Sequence, residues 1–71
     1  MIVVTLDKML KKRKKKLGEL TDYVGITMAN MSILKTNKAR GVRFDTLNKI
    51  CEFLKCQPGD ILIHVDDEDD Q

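Results

Sequence analysis

Glu19-Leu20-Thr21-Asp22-Tyr23-Val24-Gly25-Ile26-Thr27-Met28-Ala29-Asn30-Met31-Ser32-Ile33-Leu34-Lys35 is the stretch that decides the fold. Together with Leu17 just before it, Leu20 and Val24 fall on one side of a helix, and Glu19 and Asp22 on the other. Gly25 then stands where that helix must end, because glycine enters the left-handed conformation without a Cβ clash and lets the chain reverse. Ile26 fills the turn. Thr27 carries a side-chain oxygen that can accept from the backbone N–H near Asn30, so it caps a further helix running from Met28 to about Lys35. Met31 and Leu34, three apart, give that helix an inner side.

Working outward, the β-branched run Ile2-Val3-Val4 predicts a short strand, and Thr5 reads as the N-cap of a helix whose apolar stripe is Leu6, Met9 and Leu10. The outer face of that helix is strongly basic and ends in the block Lys11-Lys12-Arg13-Lys14-Lys15-Lys16. Downstream, Thr36 to Arg43 is a polar, basic connection with turn residues at Asn37 and Gly41. Asp45 or Thr46 opens a fourth helix in which Leu47, Ile50, Cys51 and Leu54 fit the full helical template. Phe44 and Phe53 read as core residues. Gln57-Pro58-Gly59-Asp60 predicts a turn or one short helical turn, since Pro58 cannot continue a helix, and Ile61, Leu62, Ile63 and Val65 predict a second strand. The chain then divides into a single domain over residues 1–65 and an acidic tail over 66–71 that is expected to be disordered.

Seventy-one residues allow one small domain, with no room for a catalytic domain beside a binding one. The formal net charge is only +2, but Met1 to Arg43 holds eleven Lys/Arg against three Asp/Glu, and Phe44 to Gln71 holds two against eight. A clustered positive field attracts polyanions whatever the total charge. The hydrophobic share of 42% supports a modest core. No apolar run approaches the roughly 18 residues of a membrane span, and the stretch from Met1 to Leu6 is too short and wrongly flanked for a signal peptide, so a cytoplasmic location is expected. Cys51, Cys56 and the lone His64 form no metal set, and His64 has no nucleophilic partner at a signature spacing. The cysteines are expected reduced and structural. Neither a catalytic residue, a metal nor a cofactor is indicated.

Two short helices joined through Gly25-Ile26, the second capped by Thr27 and followed by a basic loop, follow the pattern of a helix-turn-helix. The segment Glu19 to Thr27 resembles the helix-turn-helix of the phage Cro/C1 repressor family, also called the XRE family. Ile33 to Lys38, Arg43-Phe44-Asp45-Thr46-Leu47 and Cys56 to Leu62 resemble the small bacterial regulators of that family, so the likeness runs from about Leu6 to Leu62. It implies a mostly α, five-helix lambda-repressor-like DNA-binding domain, here with short flanking β-strands. It also implies a third helix that enters the major groove, in a homodimer on a two-fold operator. On this likeness Thr27 caps the helix and touches phosphate, Met28, Ala29, Ser32 and Ile33 take the base-reading positions, and Lys35, Asn37, Lys38, Arg40 and Arg43 hold the DNA backbone.

The sequence departs from the family at several of these positions. Met28, Ala29 and Ile33 offer no side-chain hydrogen bonds, so direct readout is thin, and specificity is expected from thymine methyl contacts, from Ser32 and Asn30, and from DNA shape. Lys16 stands where relatives often place a Ser or Thr cap, and an uncapped helix loses about 1 kcal/mol. Thr21 replaces a usual Ala, which bears on how closely the second and third helices pack. The expected function is a non-enzymatic regulator of transcription, a repressor rather than an activator. The alternative is a protein-interaction module, antitoxin-like or phage-encoded, that uses the exposed Met28 and Ile33 surface. The block Lys11 to Lys16 reads either as a solvated helix face or as a strip along the DNA backbone, and the tail either as solubilising or as folding back on the basic face. A bare two-stranded ribbon has free edges, so the strands, or the adjoining Phe53 and Ile61 region, are expected to join two subunits.

Overall fold

The computed structural model describes residues 1–66. Its order is β1 (Ile2–Val4), α1 (Leu6–Arg13), α2 (Leu17–Val24), α3 (Met28–Lys35), α4 (Phe44–Leu54), a 3-10 turn (Pro58–Asp60) and β2 (Leu62–His64). The mostly helical class stands, with four α-helices. The fifth helical piece is the single turn that Pro58 and Gly59 suggested, too short to bury a face of its own. The tail expected over 66–71 lies outside the described residues apart from Asp66.

Every helix contributes to one core. Leu6 of α1, Leu20 of α2, Met31 of α3, and Ile50 and Leu54 of α4 are all essentially inaccessible to solvent, and Met9, Leu10, Val24, Leu34 and Ile61 complete the cluster. Burying one such side chain contributes about 1.5–3 kcal/mol, which is how a chain this short stays folded. β1 and β2 pair antiparallel, with Ile2 opposite His64, Val3 opposite Ile63 and Val4 opposite Leu62. By alternation Val4 and Leu62 turn inward onto the core while Val3 and Ile63 face out.

Three helices end on a left-handed residue that is not glycine: Lys14 after α1, Asn37 beyond α3 and Lys55 after α4. After α1 the Lys15 N–H bonds back to the Leu10 carbonyl at 2.9 Å and after α3 the Lys38 N–H bonds to Ile33 at 3.0 Å, the long bond of a Schellman ending. A left-handed lysine costs on the order of 1 kcal/mol relative to glycine. Around α4 that cost is offset by Arg13, whose guanidinium donates to the Lys55 carbonyl at 3.0 Å and places a cation at the negative end of the helix.

Several expectations change here. Thr5 occupies the residue before α1, but its hydroxyl donates to the Asp60 carbonyl at 2.9 Å and its N–H to Ile61 at 2.7 Å, so it ties α1 to the 3-10 turn instead of capping the helix. Phe44 is not core: it is the first residue of α4, in line with Leu47 and Cys51 but beyond the end of the packed stripe, and is 87% exposed. Ile61 is 2% exposed and so is unavailable to a second subunit. Phe53 is covered by Tyr23, with ring centres 5.2 Å apart, and by the Lys15 ammonium 5.3 Å from its ring. Of the surfaces considered for joining two subunits, the strands and the half-buried Phe53 remain accessible.

Candidate nucleic-acid interface

The turn between α2 and α3 forms as its residues dictate. Gly25 adopts φ 84° and its N–H closes α2 on the Thr21 carbonyl at 2.8 Å. Thr27 is extended, and its hydroxyl accepts from the Asn30 N–H at 3.1 Å, satisfying one of the free amides at the start of α3. Thr21 is buried between the helices without penalty, because its hydroxyl turns back and donates to the Gly18 carbonyl at 2.8 Å. The lack of a Ser or Thr cap at Lys16 is half remedied: lysine has no oxygen to offer, but Glu19 accepts from the Lys16 N–H at 3.1 Å and its charge suits the helix N-terminus.

At about 100° per residue, Met31 and Leu34 fix the inner side of α3, and the opposite side carries Ala29, Ser32 and Ile33 with Met28 at its edge. Ala29 is exposed, Met28 and Ile33 are about half exposed, and Ser32 is half-buried. These are the residues expected to read bases, and the fold brings them onto one surface. Met28 leans toward α2: a Cβ placed on Gly18 would sit 3.7 Å from the Met28 methyl, so the Met28 side chain reaches the first turn of α2. Thr36 is a residue that the sequence reading missed. It follows Ser32 by one turn, is exposed on the same side, and its hydroxyl donates to the Ser32 carbonyl at 2.8 Å. The spacing of four from Ser32 was the available signal.

The residues expected to hold the DNA backbone divide into two groups. Arg43 lines a cleft of about 420 Å³ between α3 and the start of α4, shared with Asn30, Ile33 and Thr46, so a cation stands beside the outer side of α3. Lys38 and Arg40 are exposed on the loop between those helices. Lys35 and Asn37 also have partners within the fold. The Lys35 ammonium lies 3.6 Å from Asp7 on α1, which also pairs with Lys11 at 3.9 Å. The Asn37 carboxamide grips β1: its oxygen accepts from the Val4 N–H and its nitrogen donates to the Val4 carbonyl at 3.4 Å. Asn37 thereby fastens the end of α3 to the ribbon. The whole block Lys11 to Lys16 is exposed, with Arg13 and Lys15 engaged by Lys55 and Phe53 as described.

The described residues hold no group of His, Cys, Asp and Glu able to bind a metal, and none of their helices is long and apolar enough to cross a membrane. Cys51 and Cys56 are free thiols. Burial first, then the neighbouring Cys51, pushes the Cys56 thiol up to about 11.

Residues 5–67 match the family described as the Cro/C1-type HTH DNA-binding domain. The chain is 56% identical over 68 residues to the HTH-type transcriptional regulator YozG of Bacillus subtilis (strain 168), itself uncharacterized, covering 96% of this chain and 81% of that one. In three dimensions it is similar to the crystal structure of a candidate DNA-binding protein from Bacteroides fragilis, with a TM-score of 0.78 at 21% identity, over 89% of this chain and all of that one.

Proposed function

The chain belongs to the Cro/C1-type helix-turn-helix DNA-binding family, and on that premise we propose that it is a cytoplasmic, non-enzymatic repressor that binds a palindromic operator as a homodimer. The observation that carries this reading is the outer side of α3: Met28, Ala29, Ser32 and Ile33 stand together beside Arg43, on a helix capped by Thr27. A major groove about 12 Å wide accepts one such helix. The amide end of α3 favours phosphate. Readout then falls on thymine methyl groups for Met28, Ala29 and Ile33, and on the Ser32 hydroxyl for a hydrogen bond, with Thr36 at the far end of the same side.

Phosphate contacts fix register and base contacts specify sequence. Lys38, Arg40 and Arg43 serve the first role from the loop after α3. Lys35 and Asn37 join them at the end of α3, where they also tie that helix to α1 and to β1. Repression on this reading is occlusion of a promoter by the bound domain. Two-fold packing through the outward Val3 and Ile63 covers the apolar face that the ribbon otherwise leaves to solvent.

The test is binding to duplex DNA as a function of salt. Log K falls with log[salt] at a slope of about −0.9 for each phosphate neutralised, and Lys38→Gln or Arg43→Gln each makes it shallower by about one unit. Binding that ignores salt, or no binding at low salt, overturns the proposal and favours a protein partner on Met28 and Ile33. Sedimentation as a monomer at tens of micromolar, alone and on DNA, overturns the dimer.

A further inference from the structure

We propose that Cys51 and Cys56 form a redox modification site, a dithiol that a small-molecule disulfide converts by exchange into an intramolecular disulfide across the end of α4. The proposal rests on how that helix stops. Lys55 adopts the left-handed conformation with φ 52°, and the Cys56 N–H returns to the Cys51 carbonyl at 3.1 Å. This is the long bond of a Schellman ending, whose two outer residues bring their side chains together. Because the path through that bond bends at the carbonyl and at the amide, the two Cα atoms stand less than about 7 Å apart, within the reach of a disulfide.

The thiols share one environment. Both are free, half-buried and packed against the core. Burial, and then the neighbouring Cys51 through its charge and a hydrogen bond, raise the Cys56 thiol, so the two sulfurs sense each other. Both line a single cleft of about 710 Å³ together with Phe44, Leu47, Gln57 and Pro58. Phe44 on its wall is 87% exposed, so the cleft opens to solvent and admits a small molecule.

The exchange runs in two steps. Cys51, having lost its proton, attacks one sulfur of R–S–S–R. The S–S bond breaks, one R–S⁻ leaves and takes up a proton, and a mixed disulfide stands on Cys51. Cys56 then loses its proton and attacks the Cys51 sulfur, and the second R–S⁻ leaves as a thiol. The chain is oxidised by two electrons and the reagent is reduced to two thiols. Only a thiolate attacks, so the raised Cys56 thiol takes the second step.

The new bond closes round Lys55, whose carbonyl accepts from Arg13 at 3.0 Å. Oxidation therefore fixes the turn to which the end of α1 is tied, and couples the stability of the fold to the thiol–disulfide balance around it. No residue of this cleft lines the cleft beside α3 that holds Arg43. The inference thus stands apart from the DNA-binding reading.

The experiment equilibrates the full chain with mixtures of reduced and oxidised glutathione, traps free thiols by acid and alkylation, and reads the intact mass. Excess oxidised glutathione is expected to give a chain lighter by two hydrogens with no glutathione attached. Cys56→Ser cannot complete the second step and is expected to keep a glutathione on Cys51. Because the fold holds the thiols together, the equilibrium constant for the internal disulfide is expected to be about tenfold or more greater in the native chain than in urea. The oxidised chain is correspondingly expected to melt about 5–10 °C above the reduced one. An equilibrium constant no greater in the native chain than in urea overturns the proposal. Glutathione on both cysteines, or disulfide-linked dimers in place of the internal bond, overturn it equally.

Discussion

Replacing Asn37 separates a residue that holds the fold from one that holds DNA. Its backbone has φ 66°, and its carboxamide makes two hydrogen bonds to Val4 across the gap between the end of α3 and β1. In Asn37→Ala the left-handed backbone costs about 1 kcal/mol. Because the site is exposed, each lost hydrogen bond is worth about 0.5–1 kcal/mol, the lower part of the usual range. The sum is about 2–3 kcal/mol, and with about 4–8 °C per kcal/mol for a domain of this size, melting falls by about 8 °C or more. Asn37→Gly removes the same bonds and relieves the backbone, so it is expected to lose only about 1–2 kcal/mol and to melt above the alanine variant. The assay is thermal unfolding followed by circular dichroism at matched protein concentration. If Asn37→Ala melts with the parent and instead loses DNA binding, the carboxamide belongs to the DNA contact and the latch reasoning is wrong. An alanine variant more stable than the glycine one refutes the backbone part alone.

Other substitutions test neighbouring parts of the account. Thr27→Ala removes the acceptor for the Asn30 N–H and is expected to cost about 1 kcal/mol, with Thr27→Ser restoring most of it in the same melting assay. Lys14→Gly relieves a left-handed lysine on an exposed loop and is expected to raise stability by about 1 kcal/mol in urea unfolding. Gly18→Ala meets the Met28 methyl only at ordinary contact distance, so it is expected to stabilise α2 by about 0.5 kcal/mol without loss of duplex affinity. Because the Cys56 thiol is pushed from 9.0 up to about 11, alkylation at pH 8, read by mass spectrometry, is expected to proceed far more slowly at Cys56 than at a cysteine in an unfolded peptide. The same raised value adds native stability that is fully present below pH 9 and is lost as the pH rises through 11.

What the sequence made legible was what local chemistry decides. Gly25 and Thr27 act through their own backbone and hydroxyl, so the turn and the limits of α3 could be read directly from them. The apolar spacing of Leu20, Val24, Met31, Leu34, Ile50 and Leu54 named core residues, because each sits on a stripe with only one side to bury. What escaped depends on partners distant along the chain. Thr5 looks like a cap until Asp60 and Ile61 arrive beside it, and Asn37 and Lys35 look like free polar residues until Val4 and Asp7 engage them. Phe44 was misread because both its aromatic character and its spacing from Leu47 and Cys51 suggest burial, whereas it stands at the very start of α4, where the ring is left outside. Among the expected interface residues, the base-reading set shares one helix and could be grouped by periodicity. The backbone-holding set could not, since its members lie on an irregular loop whose path only the packed structure supplies.

The central claim is that the outer side of α3 chooses the DNA sequence, and its most direct measurement is a specificity ratio. A duplex is selected from a random pool with the parent chain, and its affinity is divided by that for an unselected duplex at the same salt. The same ratio is then measured for Ser32→Ala and Ile33→Ala. Each lost base contact is worth about 1–3 kcal/mol, so the account predicts that the ratio falls about tenfold or more for at least one variant while affinity for the unselected duplex stays within about twofold. A ratio unchanged in both variants, with both folded, would contradict the claim that this side of α3 reads the operator.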